Sequence, residues 1–188
     1  MRIIGGNLRG LRLAEVGKGD RAAHLRPTSD RVRESIFNLL QNGGYGNPVQ
    51  GACVLDLFAG TGALGLEALS RGAAHAVLVD QGMVAQKLIG RNIELCRAGA
   101  RARFVRRDAM QLGDAPDDPH DLVFLDPPYG QGAGETALRA ALAGGWIAPD
   151  ALIVWEENAD CAPPEGFVRL DARRYGGTWV HVLSVDPQ

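Results

Sequence analysis

Short apolar runs alternating with helix-like stretches constrain this chain more than any other feature. Val54-Leu55-Asp56-Leu57-Phe58, Ala76-Val77-Leu78-Val79-Asp80, Ala102-Arg103-Phe104-Val105, Leu122-Val123-Phe124-Leu125 and Leu152-Ile153-Val154-Trp155 read as strands. Leu64 to Ser70, Val84 to Cys96 and Ala137 to Leu142 carry helical spacing between them. A strand apolar at successive positions is buried on both faces, and strand–helix alternation is the pattern of a parallel sheet covered by helices. The tail breaks this alternation. Phe167 to Tyr175, Gly176-Gly177 and Trp179 to Val185 predict an antiparallel hairpin closing one sheet edge.

The first residues differ again. Arg2-Ile3-Ile4, Gly5-Gly6-Asn7 and Leu8 to Leu13 predict a small β-hairpin, with Leu11 and Leu13 on one face and Arg12 on the other. Residues 14–25 read as a polar, glycine-containing loop. Pro27-Thr28-Ser29-Asp30 offers a helix start, Val32, Ile36, Leu39 and Leu40 share one helical face, and Gly43-Gly44 ends it. The expected architecture is α/β. A hairpin and basic arm over 1–25 lead into a single unit over 26–188.

Composition sets the outer limits. With 188 residues and 46% hydrophobic residues, the chain suits one domain with a sizeable core. Charged residues, at 22%, give no sign of disorder. No apolar run is long enough to span a bilayer, and Met1 to Gly6 lacks a signal-peptide stretch. A cytoplasmic protein without membrane association is expected. Cys53, Cys96 and Cys161 are scattered, without ligand spacing, so neither a disulfide framework nor a metal site is expected.

The net charge of −2 hides an asymmetry. Residues 1–33 hold eight Lys/Arg and three acids, a segment charge of +5, while the remainder carries −7. A basic arm on an acidic body suits contact with phosphates, with Arg2, Arg9 and Arg12 as candidates; a solvated arginine-rich surface is the alternative.

Asp56-Leu57-Phe58-Ala59-Gly60-Thr61-Gly62-Ala63-Leu64-Gly65 follows the first core strand. Gly60, Gly62 and Gly65 match the dinucleotide pattern G-x-G-x-x-G, and Asp80 lies about twenty residues on, where a ribose-binding acid would sit. Asp56 argues against a dinucleotide. A carboxylate at the strand end would repel a pyrophosphate approaching the helix N-terminus, but it could accept from an ammonium group. The turn before the first glycine is long for a dinucleotide fold, and no placed His or Lys suggests hydride transfer. S-adenosylmethionine, which has an amino-acid end, a ribose and no phosphate, fits better. Gly60 and Gly62 would admit its methionine part and Asp80 its ribose hydroxyls. Asp108-Ala109, after the third strand, could meet the adenine, or Asp108 could cap a helix.

Asp126-Pro127-Pro128-Tyr129 ends the fourth strand. Two prolines fix the backbone and remove two donors. The Pro127 carbonyl and the Asp126 carboxylate are left as acceptors beside an aromatic ring. The exocyclic amine of a nucleobase is a poor nucleophile because its lone pair is delocalised. Two acceptors on its hydrogens would push the nitrogen toward sp³ geometry, and Tyr129 could stack on the base. The alternative is a rigid turn capped by a surface tyrosine.

These residues resemble Rossmann-type amino-group methyltransferases acting on nucleic acids. Arg2-Ile3-Ile4-Gly5-Gly6, Leu25-Arg26-Pro27-Thr28-x-Asp30-Arg31-Val32-Arg33-Glu34, Asp56 to Ala68, and Asp126 to Tyr129 are similar to the bacterial family that methylates guanine N2 in small-subunit (16S) ribosomal RNA. The resemblance implies a seven-stranded, mostly parallel sheet with an N-terminal hairpin that helps hold RNA. It implies Asp126, Pro127 and Tyr129 as catalytic. It implies Asp56, Phe58, Ala59, Gly60, Gly62, Asp80, Asp108 and Ala109 as cofactor-binding, with Thr28 near them. Arg26 and Arg31 would line the cleft on the RNA side. The family usually carries two consecutive acids, or an acid before a small run, after the second strand. Asp80-Gln81-Gly82-Met83 is looser, so Asp80 alone is carried over. The implied partner is 16S ribosomal RNA within a 30S subunit or assembly intermediate, met by a monomer. A DNA adenine-N6 methyltransferase, a non-catalytic RNA-binding protein on the same fold and an NAD-dependent oxidoreductase remain as competing readings.

Overall fold

The computed structural model describes residues 1–15 and 29–187. Its seven strands are β1 (Cys53–Leu57), β2 (His75–Asp80), β3 (Ala102–Arg106), β4 (His120–Leu125), β5 (Ile147–Glu157), β6 (Phe167–Tyr175) and β7 (Thr178–Val185). The helices are α1 (Asp30–Asn42), α2 (Ala63–Ser70), α3 (Met83–Leu95) and α4 (Ala133–Ala143). The strands form one sheet in the order β3-β2-β1-β4-β5-β7-β6. β1 to β5 pair in parallel, and β7 inserts antiparallel between β5 and β6. The order reverses at β1 and β4, so the crevice for a ligand opens beyond their carboxyl ends.

The apolar runs are continuous because both sheet faces are covered. Val54, Leu78, Phe124 and Val154 face a core built with Ile36, Phe37 and Leu40 of α1, Leu66 of α2 and Ile89 of α3. Leu55, Leu57, Val79, Val123 and Leu125 face the opposite core, with Ala137 and Leu138 of α4, Trp146 and Trp155. α1 begins where expected: Ser29 Oγ accepts from the Val32 N–H at 3.2 Å.

Three boundaries depart from the sequence reading. α4 starts at Ala133 rather than Ala137. Gly134 lies inside it because a Cβ there would meet the Trp155 indole nitrogen at 2.5 Å. β5 begins at Ile147, before a register shift opposite His120 and Leu122. The N-terminal hairpin narrows to a single antiparallel bridge, Arg2 to Arg12, around a 3-10 turn over Gly6–Leu8. Leu13 is buried and Arg12 exposed, as the alternation requires.

A buried polar network fastens this N-terminal segment to the sheet's helices. Glu67 accepts from the Ile4 and Gly5 N–H groups, both at 2.7 Å. Ser70 Oγ accepts from Leu8 N–H and donates to the Gly5 carbonyl. Asn92 Oδ1 accepts from Ala14 N–H at 2.7 Å, while its amide donates to the Ala14 and Thr61 carbonyls. Arg33 is fully buried and pairs with Glu67 at 3.6 Å and Asp30 at 2.9 Å. Its charge belongs to the basic arm by sequence but is neutralised inside the protein. No helix among the described residues is long and apolar enough to cross a membrane.

Candidate functional site

Pleating decides which strand-end residues meet. Val54 and Asp56 alternate on one face of β1, and register places Leu78, Asp56, Phe124 and Val154 in one row. Two residues further along, Asp80, Asp126 and Glu156 lie at the ends of β2, β4 and β5 on that same face. The sheet thus gathers four carboxylates at the crevice. Packing alone gives no reason for so many acids beyond an apolar core, whereas a ligand site does.

Asp56 is 1% exposed. Burial, opposed by the Gly65 hydrogen bond and reinforced by the negative charges of Asp126 and Asp80, pushes its carboxyl up to about 7. Its Oδ2 accepts from the Gly65 N–H at 2.9 Å. A Cβ at Gly65 would lie 2.3 Å from Leu78 Cδ2 and 3.2 Å from Asp56 Oδ2, so the third glycine of the loop serves close helix–strand packing. Phe58, where β1 turns into the loop, holds φ +57. A bulky residue in the left-handed region is strained, and such strain gathers at ligand sites. Ala59 N–H bonds the Val79 carbonyl at 2.9 Å, which ties the loop back to β2.

Asp80 departs from a purely ligand-facing role. Its Oδ2 accepts from the Gly60 N–H at 2.9 Å and its Oδ1 from the Gly82 N–H at 2.8 Å. It braces the glycine loop as well as ending β2. Gly62, at φ +75, is the left-handed residue from which α2 departs. Asp108 caps a 3-10 turn over Ala109–Gln111 through a 2.9 Å bond from Met110 N–H. The capping alternative for Asp108 therefore holds for that oxygen, and Ala109 is buried beneath the turn.

The loop after β4 faces a cleft of about 500 Å³. Asp126 and Tyr129 line it with Glu156 on one side, and Ser29, Arg31 and Ser35 of the α1 end on another. The third wall is the β6–β7 turn, from Arg174 to Thr178. Pro127 is buried, Pro128 exposed and Tyr129 half-buried, so the ring is a wall of the cleft rather than a free surface group. The loop is held from behind. Glu157, raised by burial, accepts from the backbone N–H groups of Gly130 and Asn158.

Arg31 thus shares this cleft with Asp126 and Tyr129, while Gly60, Gly62, Asp80 and Asp108 form no part of its lining. Arg2, Arg9 and Arg12 are exposed on the docked N-terminal segment, with Arg2 3.8 Å from Asp30. Arg26, Thr28 and the loop positions 16–25 lie outside the described residues. Glu156 and the 174–178 turn escaped the sequence reading. Glu156 carried a usable signal, a carboxylate ending an apolar run as at Asp80 and Asp126. The turn carried none, since only the tertiary fold brings it to α1. Among the described residues no group of side chains could hold a metal ion.

The carboxylates fit a cofactor that brings positive charge. An ammonium or sulfonium is attracted by Asp56, Asp80 and Asp126, whereas a pyrophosphate would be repelled by Asp56 and Asp126. A nicotinamide dinucleotide does not suit this crevice.

Comparison with known proteins agrees over almost the whole chain. The profile of the family described as Conserved hypothetical protein 95 matches residues 1–184. The chain is 40% identical to Ribosomal RNA small subunit methyltransferase D of Escherichia coli over 164 residues, 87% of this chain and 78% of that protein. It is 33% identical to the protein of the same name from Haemophilus influenzae, covering 94% of this chain and 89% of that one. A solved structure of a candidate methyltransferase from Escherichia coli matches with a TM-score of 0.82 at 36% identity, covering 100% of this chain and 99% of that chain.

Proposed function

Because the chain belongs to the bacterial family of small-subunit ribosomal RNA methyltransferases, we propose that it methylates the N2 amino group of a guanine in that RNA, with S-adenosylmethionine as donor. The single observation that carries the finer reading is the Asp126 to Tyr129 loop, which lies beyond β4 between the acidic row and the cleft.

The cofactor supplies an electrophilic methyl group. The protein's own residues do the positioning. Asp56 holds an ammonium at the buried end of the crevice. Phe58, Ala59, Gly60 and Gly62 shape the loop around the methionine part. Asp80 offers its outer lone pairs to the ribose while its inner ones brace Gly60 and Gly82, since a carboxylate has about four acceptor sites. Asp108 and Ala109 flank the adenine. Asp126 and the Pro127 carbonyl accept the two amine hydrogens and turn the nitrogen lone pair toward the crevice. Tyr129 stacks on the base. The transfer is a displacement that depends on alignment, and no strong general base is needed because the methylated amine is acidic enough to lose its proton.

Arg31 meets the RNA backbone at the cleft mouth, and Arg26, which lies outside the described residues, is read as an RNA contact from the family resemblance alone. Arg2, Arg9 and Arg12 extend that surface along the N-terminal segment, which Glu67, Ser70 and Asn92 hold rigidly. We read the substrate as ribosomal RNA within a 30S particle or assembly intermediate, met by a monomer in the cytoplasm.

The test is transfer of a labelled methyl group to small subunits from a strain lacking the modification, to protein-free ribosomal RNA and to duplex DNA. Label in the ribosomal substrates supports the reading. Label in duplex DNA alone would replace it with the adenine-N6 alternative, and no cofactor binding by calorimetry would leave a non-catalytic RNA-binding protein.

A further inference from the structure

The acid at the end of β5 takes no part in holding the amine or the cofactor, yet it lies inside the reaction cleft. Glu156 is 1% exposed and shares the cleft lining with Asp126 and Tyr129. Pairing of β4 with β5 runs through Phe124 to Val154 and Leu125 to Trp155, so Asp126, the residue after β4, and Glu156 of β5 follow the last paired positions and both line the cleft. Neighbouring strands lie about 4.8 Å apart, so two carboxylates that leave the ends of β4 and β5 into one cleft are within reach of the same ligand.

Resting on the guanine reading, the geometry points to Glu156 as the residue that selects guanine, by accepting the N1–H while Asp126 accepts the neighbouring 2-amino group. Guanine is the only standard RNA purine whose pairing edge sets two donors next to each other. Adenine and cytosine set their amine beside a ring nitrogen that is an acceptor. A second carboxylate next to Asp126 therefore finds a donor in guanine and faces a lone pair in the other two. A buried acceptor left facing a lone pair loses its hydrogen bond and stays desolvated, which is an effective way to reject a base. Glu156 keeps a partner within the protein. A carboxylate has about four acceptor sites, so holding that partner and taking the N1–H are compatible.

The experiment uses small subunits reconstituted from ribosomal RNA carrying guanine or 2-aminopurine at the modified position. 2-Aminopurine keeps the 2-amino group but has a bare N1. The wild-type enzyme should lose on the order of a hundredfold or more in kcat/KM on 2-aminopurine. Glu156→Gln, whose amide can donate to N1, should lose activity on guanine and narrow that preference to about tenfold or less. Its affinity for S-adenosylmethionine and its Tm should match wild type. Equal wild-type activity on the two bases would overturn the proposal without any variant. An unchanged preference in Glu156→Gln, or in Glu156→Ala should the Gln variant fail to fold, would overturn it as well. Wild-type enzyme that leaves guanine unmodified altogether would instead overturn the guanine reading.

Discussion

Asp56 takes a 2.9 Å hydrogen bond from the Gly65 N–H, which hangs the first turns of α2 from the end of β1. The bond joins the strand that carries the acidic row to the helix that follows the glycine loop. It also bears on the protonation of the most buried acid in the crevice.

Cofactor affinity should therefore depend on pH. Burial holds the Asp56 carboxyl at about 7, against an ordinary 3.8. Below about 7 the group is neutral, and an ammonium must expel its proton to bind. Affinity for S-adenosylmethionine should rise about tenfold per pH unit from 5.5 toward 7 and level off above it. Asp56→Asn should bind weakly with a flat profile. The same shift acts on folding with the opposite sense. The folded state holds this proton more tightly than the unfolded chain, so the group favours folding at low pH. That contribution is lost as pH rises from about 4 through about 7. Calorimetric titration across this range checks the binding limb; a flat wild-type profile would detach Asp56 from the cofactor.

Gly65→Ala should destabilise the fold. The added methyl group would meet the fully buried Leu78 side chain and crowd the Asp56 carboxylate. Overpacking of this kind costs about 1–3 kcal/mol. Urea denaturation would register the loss, and calorimetry a weaker cofactor; an unchanged midpoint would mean that α2 can slide away from β2.

Asp126→Ala should abolish turnover and leave cofactor affinity within a few-fold. The carboxylate raises the Asp56 pKa, so its removal eases ionisation of Asp56, which offsets the attraction for the cofactor's positive charge that is lost with Asp126. Single-turnover kinetics with separate binding measurements check this. A large loss of cofactor binding would move Asp126 out of the amine-holding role.

Replacing Arg9 and Arg12 with Ala should weaken RNA binding and flatten its salt dependence, by about 1 in the log–log slope for each phosphate that is no longer neutralised. Both side chains are exposed on a segment pinned by Glu67 and Ser70, so the change should leave the fold intact. Filter binding over a salt series provides the slope. An unaltered slope would assign RNA binding to another surface.

Much of this molecule is legible in the chain because its periodicities are local. Val54 to Phe58 and Leu122 to Leu125 announce strands covered on both faces, and Asp56 within the first run and Asp126 after the second announce the crevice. Arg33 is misleading as a member of a basic arm. It shares a helical face with Ile36, Phe37 and Leu40, and that phase carries it inward to Glu67. The anchoring of Ile4, Gly5, Leu8 and Ala14 depends on partners more than sixty residues away, which no local pattern records. Gly132 and Gly134 look like helix breakers, but Gly132 is the left-handed residue before α4 and Gly134 makes room for Trp155. Glu156 follows the same rule as Asp80 and Asp126, while the adjacent Glu157 turns to the opposite face.

The central claim is tested most directly by the chemical identity of the product. Small subunits lacking the modification, incubated with the purified protein and labelled S-adenosylmethionine, would be digested to nucleosides and resolved by mass spectrometry. The account predicts label in N2-methylguanosine. Label in a methyladenosine or a methylcytidine, or in no nucleoside at all, would contradict it.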